Sequence, residues 1–486
     1  MNTITRDTPL PDTSPHPSAG ASVELYAAWK KIYPTYQEGF FRRLKWAVLW
    51  ILLGVYYIVP ALRWDRGDAL PNQAVLFDLP NRKFYLFDLV IWPQDIFILA
   101  FFLIMMTMGL FFMTALAGRV FCGYVCFQTV WTDLFLYVEK WIEGPPARRI
   151  RLDQAPWGLA KLARKAGKHA AWLFISVCTG GAFIFYFADA PTLLRQLLTG
   201  TAPMPAWYVL ALLTGTTYLF AGFAREQVCI YMCPYARFQG VMFDRDTLIV
   251  AYDEQRGEPR MANLRTRRAH GQPGDCIDCR ACVRVCPTGV DIRAGQQYAC
   301  ITCAACIDAC DAVMDRLEKP RGLIRYTSLN SLQGQKSRVL RFRVFVYGTV
   351  LLAMVAGMSW HLASRNPVQI NIIRQRSPVL IVLSDGSIQN NYTVRVLNVS
   401  NQRRQFALGV RGLPGARLSV ATSAARTAQG EPLLTVEAGG AEPFLVYLVQ
   451  PREQGRPGKA SIEFVLTATD KSGESDHRVT TFMRPE

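Results

Sequence analysis

The sequence lacks the two motifs that most often mark nucleotide binding. No G-x-G-x-x-G run follows a predicted strand, and no P-loop is present. The first absence argues against a nicotinamide site and the second against nucleotide hydrolysis within this chain. Electrons for any redox chemistry must therefore come from a separate donor, either a membrane quinol or a soluble reductant.

Cysteine is missing from the last third of the chain, although thirteen cysteines occur before it. Twelve of these fall in motifs beside basic loops, and Cys178 stands alone within an apolar run. Cysteines kept on the reducing side of a membrane are typical of metal ligands or redox thiols. We therefore predict metal or redox sites rather than structural disulfides.

Acidic residues are scarce relative to basic ones, and the formal net charge is +17. The basic residues are unevenly distributed. Nine Lys or Arg lie within 119–168 and seventeen within 225–338, whereas 63–94 holds four and 190–206 holds one. This asymmetry is typical of membrane topology and not of nucleic-acid binding. It predicts that the basic loops are cytoplasmic, and we expect no nucleic-acid partner.

Apolar residues are concentrated in runs that approach the roughly 20 residues needed to cross a bilayer. We predict five spans in a bacterial inner membrane, in contact with lipid: residues 46–62, 95–118, 171–189, 207–224 and 344–363. The polar, proline-rich first 25 residues have no apolar core, so we interpret them as a disordered tail and not as a signal peptide. An odd number of spans places the N-terminus in the cytoplasm and the C-terminal domain in the periplasm.

The strongest motif lies between the fourth and fifth spans. CIDCRACVRVCP and CITCAACIDAC each have the C-x2-C-x2-C-x3-C spacing of a bacterial ferredoxin, in which the last cysteine of each run ligates the other cluster. Structural zinc is the alternative for such pairs, but duplicated four-cysteine runs favour two 4Fe–4S clusters. The predicted ligand sets are Cys276, Cys279, Cys282 and Cys310 for one cluster, and Cys300, Cys303, Cys306 and Cys286 for the other.

Two further cysteine pairs follow the second and fourth spans: Cys122 with Cys126, and Cys229 with Cys233. Both have the pattern C-x-Y-x-C with an arginine upstream. If a helix continues through the motif, both sulfurs share one face. Small buried residues, a dithiol that cycles to a disulfide and copper ligands all remain open. Soft thiolates select Cu(I), and one cluster delivers the single electron that Cu(II) needs, so we favour copper, as substrate or bound ion.

The C-terminal part changes to short alternating runs separated by turn signals. Strands are predicted at 379–383, 392–399, 406–410, 444–449 and 462–467. Short strands at this spacing over about 120 residues indicate an immunoglobulin-like β-sandwich. Such a domain binds partners or shields a surface more often than it catalyses.

These pieces together resemble the CcoG/FixG/RdxA family of accessory proteins for the cbb-type haem–copper cytochrome oxidase. The resemblance rests on RVFCGYVCFQTVW, REQVCIYMCPYARFQGVMFD, the two ferredoxin runs and GSIQNNYTVRVLNVSNQ. It implies a cupric reductase with two 4Fe–4S clusters, whose partners are oxidase assembly factors and a copper transporter or chaperone. One departure concerns the first pair, where Phe127 stands in place of the family's proline, whereas Pro234 keeps it in the second.

The sequence thus predicts a polytopic α-helical membrane protein with a ferredoxin-like insert and a β-sandwich. Its expected function is reduction of Cu(II) at the membrane cysteines during oxidase assembly. Alternatives are a quinol-linked electron conduit to a periplasmic reductase and a non-enzymatic assembly scaffold, and a homodimer is also left open. The predicted units are a disordered cytoplasmic tail (1–40), a four-helix membrane domain (41–240), a cytoplasmic ferredoxin domain (241–340), the fifth span (341–364) and the periplasmic sandwich (365–486).

Overall fold

The computed structural model describes residues 31–67, 70–260, 274–366, 368–400, 402–423, 425–451, 458–470 and 473–485. Most of the predicted disordered tail lies outside these ranges. Residues 31–39, assigned to the same tail, are instead packed against the rest of the chain. The backbone N–H of Thr35 donates to the carbonyl of Arg284 at 2.8 Å, and Lys31 pairs with Asp153 at 2.7 Å.

The first half of the chain is helical apart from one small sheet. Its helices are α1 (Phe40–Ile58), α2 (Ile96–Ala117), α3 (Val120–Tyr124), α4 (Phe127–Glu143), α5 (Pro146–Gln154), α6 (Leu159–Ile184), α7 (Ala190–Leu198), α8 (Met204–Leu219) and α9 (Pro234–Met242). The sheet, β1 (Val75–Asp78), β2 (Lys83–Leu86) and β3 (Leu89–Ile91), lies in the loop between α1 and α2. No motif in that loop had predicted it.

Among the described residues, four helical segments are long and apolar enough to cross a membrane: Phe40–Ala61, Ile96–Ala117, Met204–Ala224 and Phe342–Ala363. They correspond to four of the five predicted spans. Most of the predicted third span, residues 171–184, falls within α6, which does not meet the same criterion because its first half carries Lys161, Lys165 and Lys168. The helix is nevertheless packed closely against α8, where a Cβ at Gly180 would lie 3.1 Å from the carbonyl of Leu210. This chain is a membrane protein.

The ferredoxin-like unit follows α9. It comprises β4 (Ile249–Tyr252), α10 (Glu254–Gly257), α11 (Ala281–Val285), α12 (Ala305–Arg316), β5 (Ile324–Thr327) and α13 (Leu329–Leu332). Strands β4 and β5 pair antiparallel, with Ile249 opposite Thr327. The buried core of the unit contains Leu323, Ile324 and Met314 together with cysteines from both runs. The cysteines are therefore held by a compact apolar interior, and α14 (Phe342–Ala363) leads away from it.

The C-terminal residues form a β-sandwich of two antiparallel sheets. Its strands are β6 (Val368–Arg374), β7 (Ile381–Val382), β8 (Ile388–Asn398), β9 (Arg404–Arg411), β10 (Arg417–Val420), β11 (Leu433–Val436), β12 (Ala441–Gln450), β13 (Lys459–Ala468) and β14 (Ser475–Met483). One sheet has the order β10-β12-β8-β6 with β7 beside β8, and the other has β11-β9-β13-β14. Alternate residues of the long strands point into a shared core, including Val394, Phe444 and Phe464. All five predicted strands are present, and the predicted sandwich is confirmed.

Candidate metal centres

The structure sorts the eight ferredoxin cysteines into two groups of four. One small cavity is lined by Cys276, Cys279, Cys282 and Cys310. A second is lined by Cys286, Cys300, Cys303 and Cys306, with Cys282 at its edge. Each cavity therefore holds three cysteines of one run and the last cysteine of the other, which is the crossed arrangement of a two-cluster ferredoxin. Four sulfurs around one small cavity fit a 4Fe–4S cluster, and the guanidinium groups of Arg280 and Arg293 beside the first cavity suit its negative charge.

The two cysteine runs have the same backbone conformation. Asp278 and Arg280 in the first run have positive φ angles, and so do Thr302 and Ala304 at the equivalent positions of the second. Non-glycine residues adopt this conformation rarely, and clusters of them occur at functional sites. Successive residues of this kind turn backbone N–H groups inward and create concave sites that bind anions, including iron–sulfur clusters. Both loops are therefore shaped to wrap an anionic group.

The sulfurs within each of these two groups of cysteines influence one another's pKa values. Burial, together with the nearby sulfurs of Cys282, Cys276 and Cys279, raises the pKa of Cys310 to about 12. Burial also raises the pKa of Cys300 to about 11, with Cys303 and Cys286 adding to the effect. Without a metal ion, such buried thiols stay protonated, so cluster insertion must displace protons.

The membrane cysteine pairs lie at breaks between helices. Helix α3 ends at Tyr124, and Cys126 is the N-cap residue of α4. In the same way, a π-helical turn over Val228–Met232 ends before Cys233, which is the N-cap residue of α9. The condition that one helix continues through the motif is therefore not met. The second sulfur of each pair instead lies at a helix N-terminus, where the helix dipole favours a thiolate.

Phe127, which stands in place of the family's proline, does not change this arrangement. Phe127 occupies the first position of α4 as Pro234 occupies the first position of α9. Proline is favoured there because its missing N–H would have no helical partner, but the position does not require it. Both pairs therefore have the same local geometry.

Two glutamines connect the pairs reciprocally. Gln239 in α9, which follows the second pair, accepts hydrogen bonds from Cys122 Sγ at 3.2 Å and from Arg119 Nε at 3.1 Å. Gln128 in α4, which follows the first pair, donates to the carbonyls of Phe220 at 2.9 Å and Arg225 at 3.2 Å, just before the second pair. Both side chains are buried. The two pairs are thus held against each other.

The four membrane sulfurs influence one another. Burial raises the pKa of Cys229 to about 12, and the sulfurs of Cys126, Cys122 and Cys233 contribute to the shift. Burial also raises the pKa of Cys122, while the guanidinium of Arg119 opposes that increase. Four neighbouring thiols that repel one another when ionised form a set that a cation would neutralise.

The first pair lies directly against the second ferredoxin loop. A Cβ at Gly123 would lie 2.8 Å from the carbonyl oxygen of Ile301 and 3.0 Å from Cys303 Cα, so only glycine fits. Tyr124 donates to the carbonyl of Cys303 at 3.3 Å. Arg119 donates to the carbonyl of Cys300 at 3.3 Å. The membrane cysteines are therefore adjacent to the group formed by Cys286, Cys300, Cys303 and Cys306.

The second pair adjoins the same group from another side. A small cavity is lined by Cys229 together with Pro287, Thr288 and Ile301. Pro287 follows Cys286 in the chain, and Ile301 follows Cys300. Both membrane pairs therefore converge on one cysteine group of the ferredoxin-like unit, and neither contacts the other group in this way among the described residues.

Asp308 anchors this unit to the first membrane helix. It lies in α12 between Cys306 and Cys310, and its carboxylate accepts the backbone N–H groups of Phe41 at 3.2 Å and Arg42 at 2.7 Å. These are among the first N–H groups of α1, which have no partner within the helix. Gly39, the N-cap residue of α1, has no side chain to accept them. A residue of the cluster-binding loop thus caps a membrane helix.

We expect Asp308→Ala to loosen this attachment, because loss of a helix cap costs about 1 kcal/mol. The detergent-solubilised variant should lose its iron at a temperature a few degrees lower than the temperature at which the unchanged protein loses it. Asp315→Ala is the control, since Asp315 lies in the same helix but pairs only with exposed Arg321, and such pairs contribute little. Equal iron retention in both variants would contradict the capping role.

Three family models match parts of the chain. Residues 99–145 match a 4Fe-4S binding domain, residues 224–329 a 4Fe-4S dicluster domain, and residues 358–485 the IG-like fold at the C-terminal of FixG, described as a putative oxidoreductase. The dicluster match includes all eight ferredoxin cysteines. The chain therefore has iron–sulfur binding domains of the kind that the cysteine spacing predicts.

Whole-chain relatives extend this result. The nitrogen fixation protein FixG of Rhizobium meliloti is 44% identical over 482 residues, which cover 92% of this chain and 91% of FixG. The chain belongs to the FixG/RdxA/RdxB family. Protein RdxB of Cereibacter sphaeroides is 46% identical over 87% of this chain and 90% of its own length, and Protein RdxA of the same organism is 47% identical over 83% and 87%. The family resemblance inferred from the motifs is confirmed.

Sequence reasoning missed several residues that shape the centres. Gln128 and Gln239 were not singled out, although each follows a phenylalanine within an otherwise apolar segment after a cysteine pair. That repeated Phe-Gln dipeptide was an available signal. Asp308 gave no comparable signal, because its partner is 266 residues away in the chain.

Proposed function

We propose that this membrane iron–sulfur protein reduces Cu(II) to Cu(I) at Cys122, Cys126, Cys229 and Cys233, and supplies the product for assembly of a cbb-type haem–copper oxidase. The observation that carries the proposal is that the segments of both membrane cysteine pairs adjoin one ferredoxin cysteine group. The net step is Cu(II) plus one electron to Cu(I). Copper is the substrate of this reaction and not a resident cofactor.

Each side chain near the site has a definable task. The four thiols lose protons and bind copper as thiolates, whose softness favours the cuprous product. Arg119 lies beside Cys122 and offsets negative charge. Gln239 fixes the position of Cys122 Sγ. The clusters held by the eight ferredoxin cysteines supply single electrons, the number that one copper ion requires.

The direct test uses anaerobic protein whose clusters have been reduced and freed of excess reductant. On addition of Cu(II) with a chelator selective for Cu(I), about two Cu(I) should form per chain, one for each cluster. The reduced-cluster spectrum should disappear in step. Protein that has not been reduced is the control, because thiols alone can reduce copper. Equal Cu(I) yields from both samples would overturn the proposal.

The crossed ligand sets can be tested separately. Cys286→Ala and Cys282→Ala should remove different clusters, because Cys286 lines one cavity with Cys300, Cys303 and Cys306, whereas Cys282 lines both that cavity and the one shared by Cys276, Cys279 and Cys310. Electron paramagnetic resonance of the reduced variants should show the loss of two distinct signals. Loss of the same signal in both variants would contradict the crossed assignment.

A second occupant of the membrane site has one specific observation in its favour. The 4Fe-4S family model that matches 99–145 includes Cys122 and Cys126 and no other cysteine, so a third cluster would need Cys229 and Cys233 as its other two ligands. Anaerobic iron analysis separates the two cases. Copper reduction at this site predicts about eight iron per chain, and a third cluster predicts about twelve.

The proposal also includes an orientation in the bacterial inner membrane. The charge asymmetry favours a cytoplasmic ferredoxin-like unit and a periplasmic sandwich, where the sandwich would meet oxidase assembly factors or a copper transporter. A reporter fused after Glu486 should then behave as periplasmic and one inserted near Gln335 as cytoplasmic. The reverse pattern would exclude this orientation.

A further inference from the structure

A cavity of about 700 Å³ lies between α6 and the C-terminal end of α8. Its volume is within the range of small-molecule sites, about 300–1,000 Å³. Its rim includes Leu219, Phe223 and Met232, all of which are exposed apolar side chains. Because the candidate span Met204–Ala224 ends here, an apolar ligand dissolved in the membrane could enter without crossing water.

Aromatic rings form one wall of this cavity. The ring of His169 is stacked on Phe223 with 5.9 Å between centroids and lies edge-on to Trp172 at 5.3 Å. Tyr218 hydrogen-bonds His169 Nδ1 at 2.9 Å. Since Nδ1 is occupied, Nε2 is the ring nitrogen left for a ligand. Such a wall suits a planar ring that carries a hydrogen-bonding oxygen.

The charged side chains around the cavity are paired with one another. Lys165 and Lys168 are paired with Glu143 at 2.9 and 3.0 Å, and Arg225 is paired with Glu139 at 3.1 Å. Lys165 and Lys168 share Glu143, and Arg225 shares Glu139 with Arg149, so every one of these cations already has a carboxylate partner. Glu139 lines the cavity, and its Oε1, which lies 3.8 Å from Lys168 Nζ, accepts no hydrogen bond from any residue that the structure describes. The site therefore offers acceptors to a neutral ligand that carries hydroxyl groups.

We propose that this cavity binds the ring of a membrane quinol. A quinol that becomes a quinone releases two electrons and two protons. The two electrons correspond to one for each of the two 4Fe–4S clusters that the ferredoxin cysteines would hold, and the two protons pass one after the other through His169 Nε2 to water. The proposal that a quinol binds is argued from the cavity alone. The proposal that this quinol is the electron donor rests on the proposed function.

The position of the cavity fits this role. Arg225 and Glu226 line it, and the same two residues line the small cavity that contains Cys229, Pro287 and Thr288. Ile32 is also shared by the two cavities, so these three residues lie between the proposed ring and the sequence that follows Cys286. The quinol would therefore lie on the opposite side of Arg225 from the cysteine group nearest the copper site.

Binding can be measured with decylubiquinone and the full-length protein in detergent. We expect Leu219→Trp to fill the cavity and His169→Gln to remove the ring nitrogens, each weakening binding about tenfold or more. Leu212→Trp is the matched control, because Leu212 is an exposed residue of the same helix that does not line the cavity. Iron content reports whether each variant is folded. Unchanged binding in folded Leu219→Trp protein, or displacement of decylubiquinone by phosphatidylglycerol, would overturn the proposal.

A second readout separates this proposal from the copper function. Decylubiquinol added without oxygen should bleach the cluster absorbance of the unchanged protein and of Leu212→Trp, but not of Leu219→Trp. If protein with chemically reduced clusters reduces copper but does not bind decylubiquinone, only the quinol-site proposal is wrong. If decylubiquinol reduces the clusters but copper is not reduced, the quinol site stands and the copper function fails.

Discussion

In a chain with both Cys229 and Cys233 replaced by serine, we expect copper binding and Cu(II) reduction to fall to background while the iron content stays unchanged. Serine keeps the size and polarity of each side chain but removes two of the four soft ligands. The remaining pair, Cys122 and Cys126, cannot complete the site. The eight ferredoxin cysteines lie in separate cavities, so iron should be retained. Copper and iron are measured on the same anaerobic sample.

Cys178→Ser is the matched control for this experiment. Cys178 is a half-buried free cysteine in α6 outside every cysteine motif, so its loss should change neither metal. Retained copper reduction in the double variant would refute the site and return the pair to the role of small packing residues. Loss of about four iron would instead identify a third cluster.

The grouping of the ferredoxin cysteines could be predicted from sequence because it depends on local spacing. In bacterial ferredoxins one short run supplies three of the four sulfurs of a cluster, and that arrangement fixes the spacing of each run. The exchange of the last cysteine is also encoded, since Cys286 and Cys310 each follow their run by one helical turn in α11 or α12. The structure brings these residues together as that pattern indicates.

The arrangement of the membrane pairs could not be predicted in the same way. The expectation of one continuous helix considered only the spacing of Cys122 and Cys126, whereas the chain breaks after Tyr124 and restarts at Cys126. What holds the pairs together is the reciprocal contact of Gln128 and Gln239, which joins residues about a hundred positions apart. Contacts of this kind depend on how helices pack, and periodicity carries no information about them.

The count of spans shows a related limit. Apolar content alone identified residues 171–189, but the helix that contains them begins at Leu159 and buries Lys161 and Lys168. These charges are tolerated because each has polar partners: Lys168 pairs with Glu143 of α4 at 3.0 Å, and Lys161 Nζ donates to the backbone carbonyls of Asp153 and Ala155. A hydropathy average penalises each lysine and does not register its partner. The buried lysines of α6 therefore explain why the sequence predicted five spans whereas the hydropathy criterion finds four among the described residues.

Gly123→Ala is expected to slow electron transfer to copper without emptying either kind of metal site. The new Cβ would lie 2.8 Å from the carbonyl oxygen of Ile301, closer than real Cβ contacts allow, so α3 must move away from the ferredoxin loop. A misplacement of about 1 Å between reacting groups can cost on the order of a hundredfold in rate. Rapid mixing of reduced protein with Cu(II), followed by cluster absorbance, measures that rate.

Gly181→Ala is the control for the added methyl group, because nothing lies within 4 Å of its Cβ in α6. That variant should reduce copper at the unchanged rate. For Gly123→Ala, iron and copper contents should both match the unchanged protein, which separates a slower transfer from a damaged site. A normal rate would show that electrons do not cross at the contact between Gly123 and Cys303. Loss of iron would show that the contact maintains the fold of the cluster-binding loop and does not position that loop for electron transfer. Glycine is required at position 123 only if α3 and the ferredoxin loop must touch.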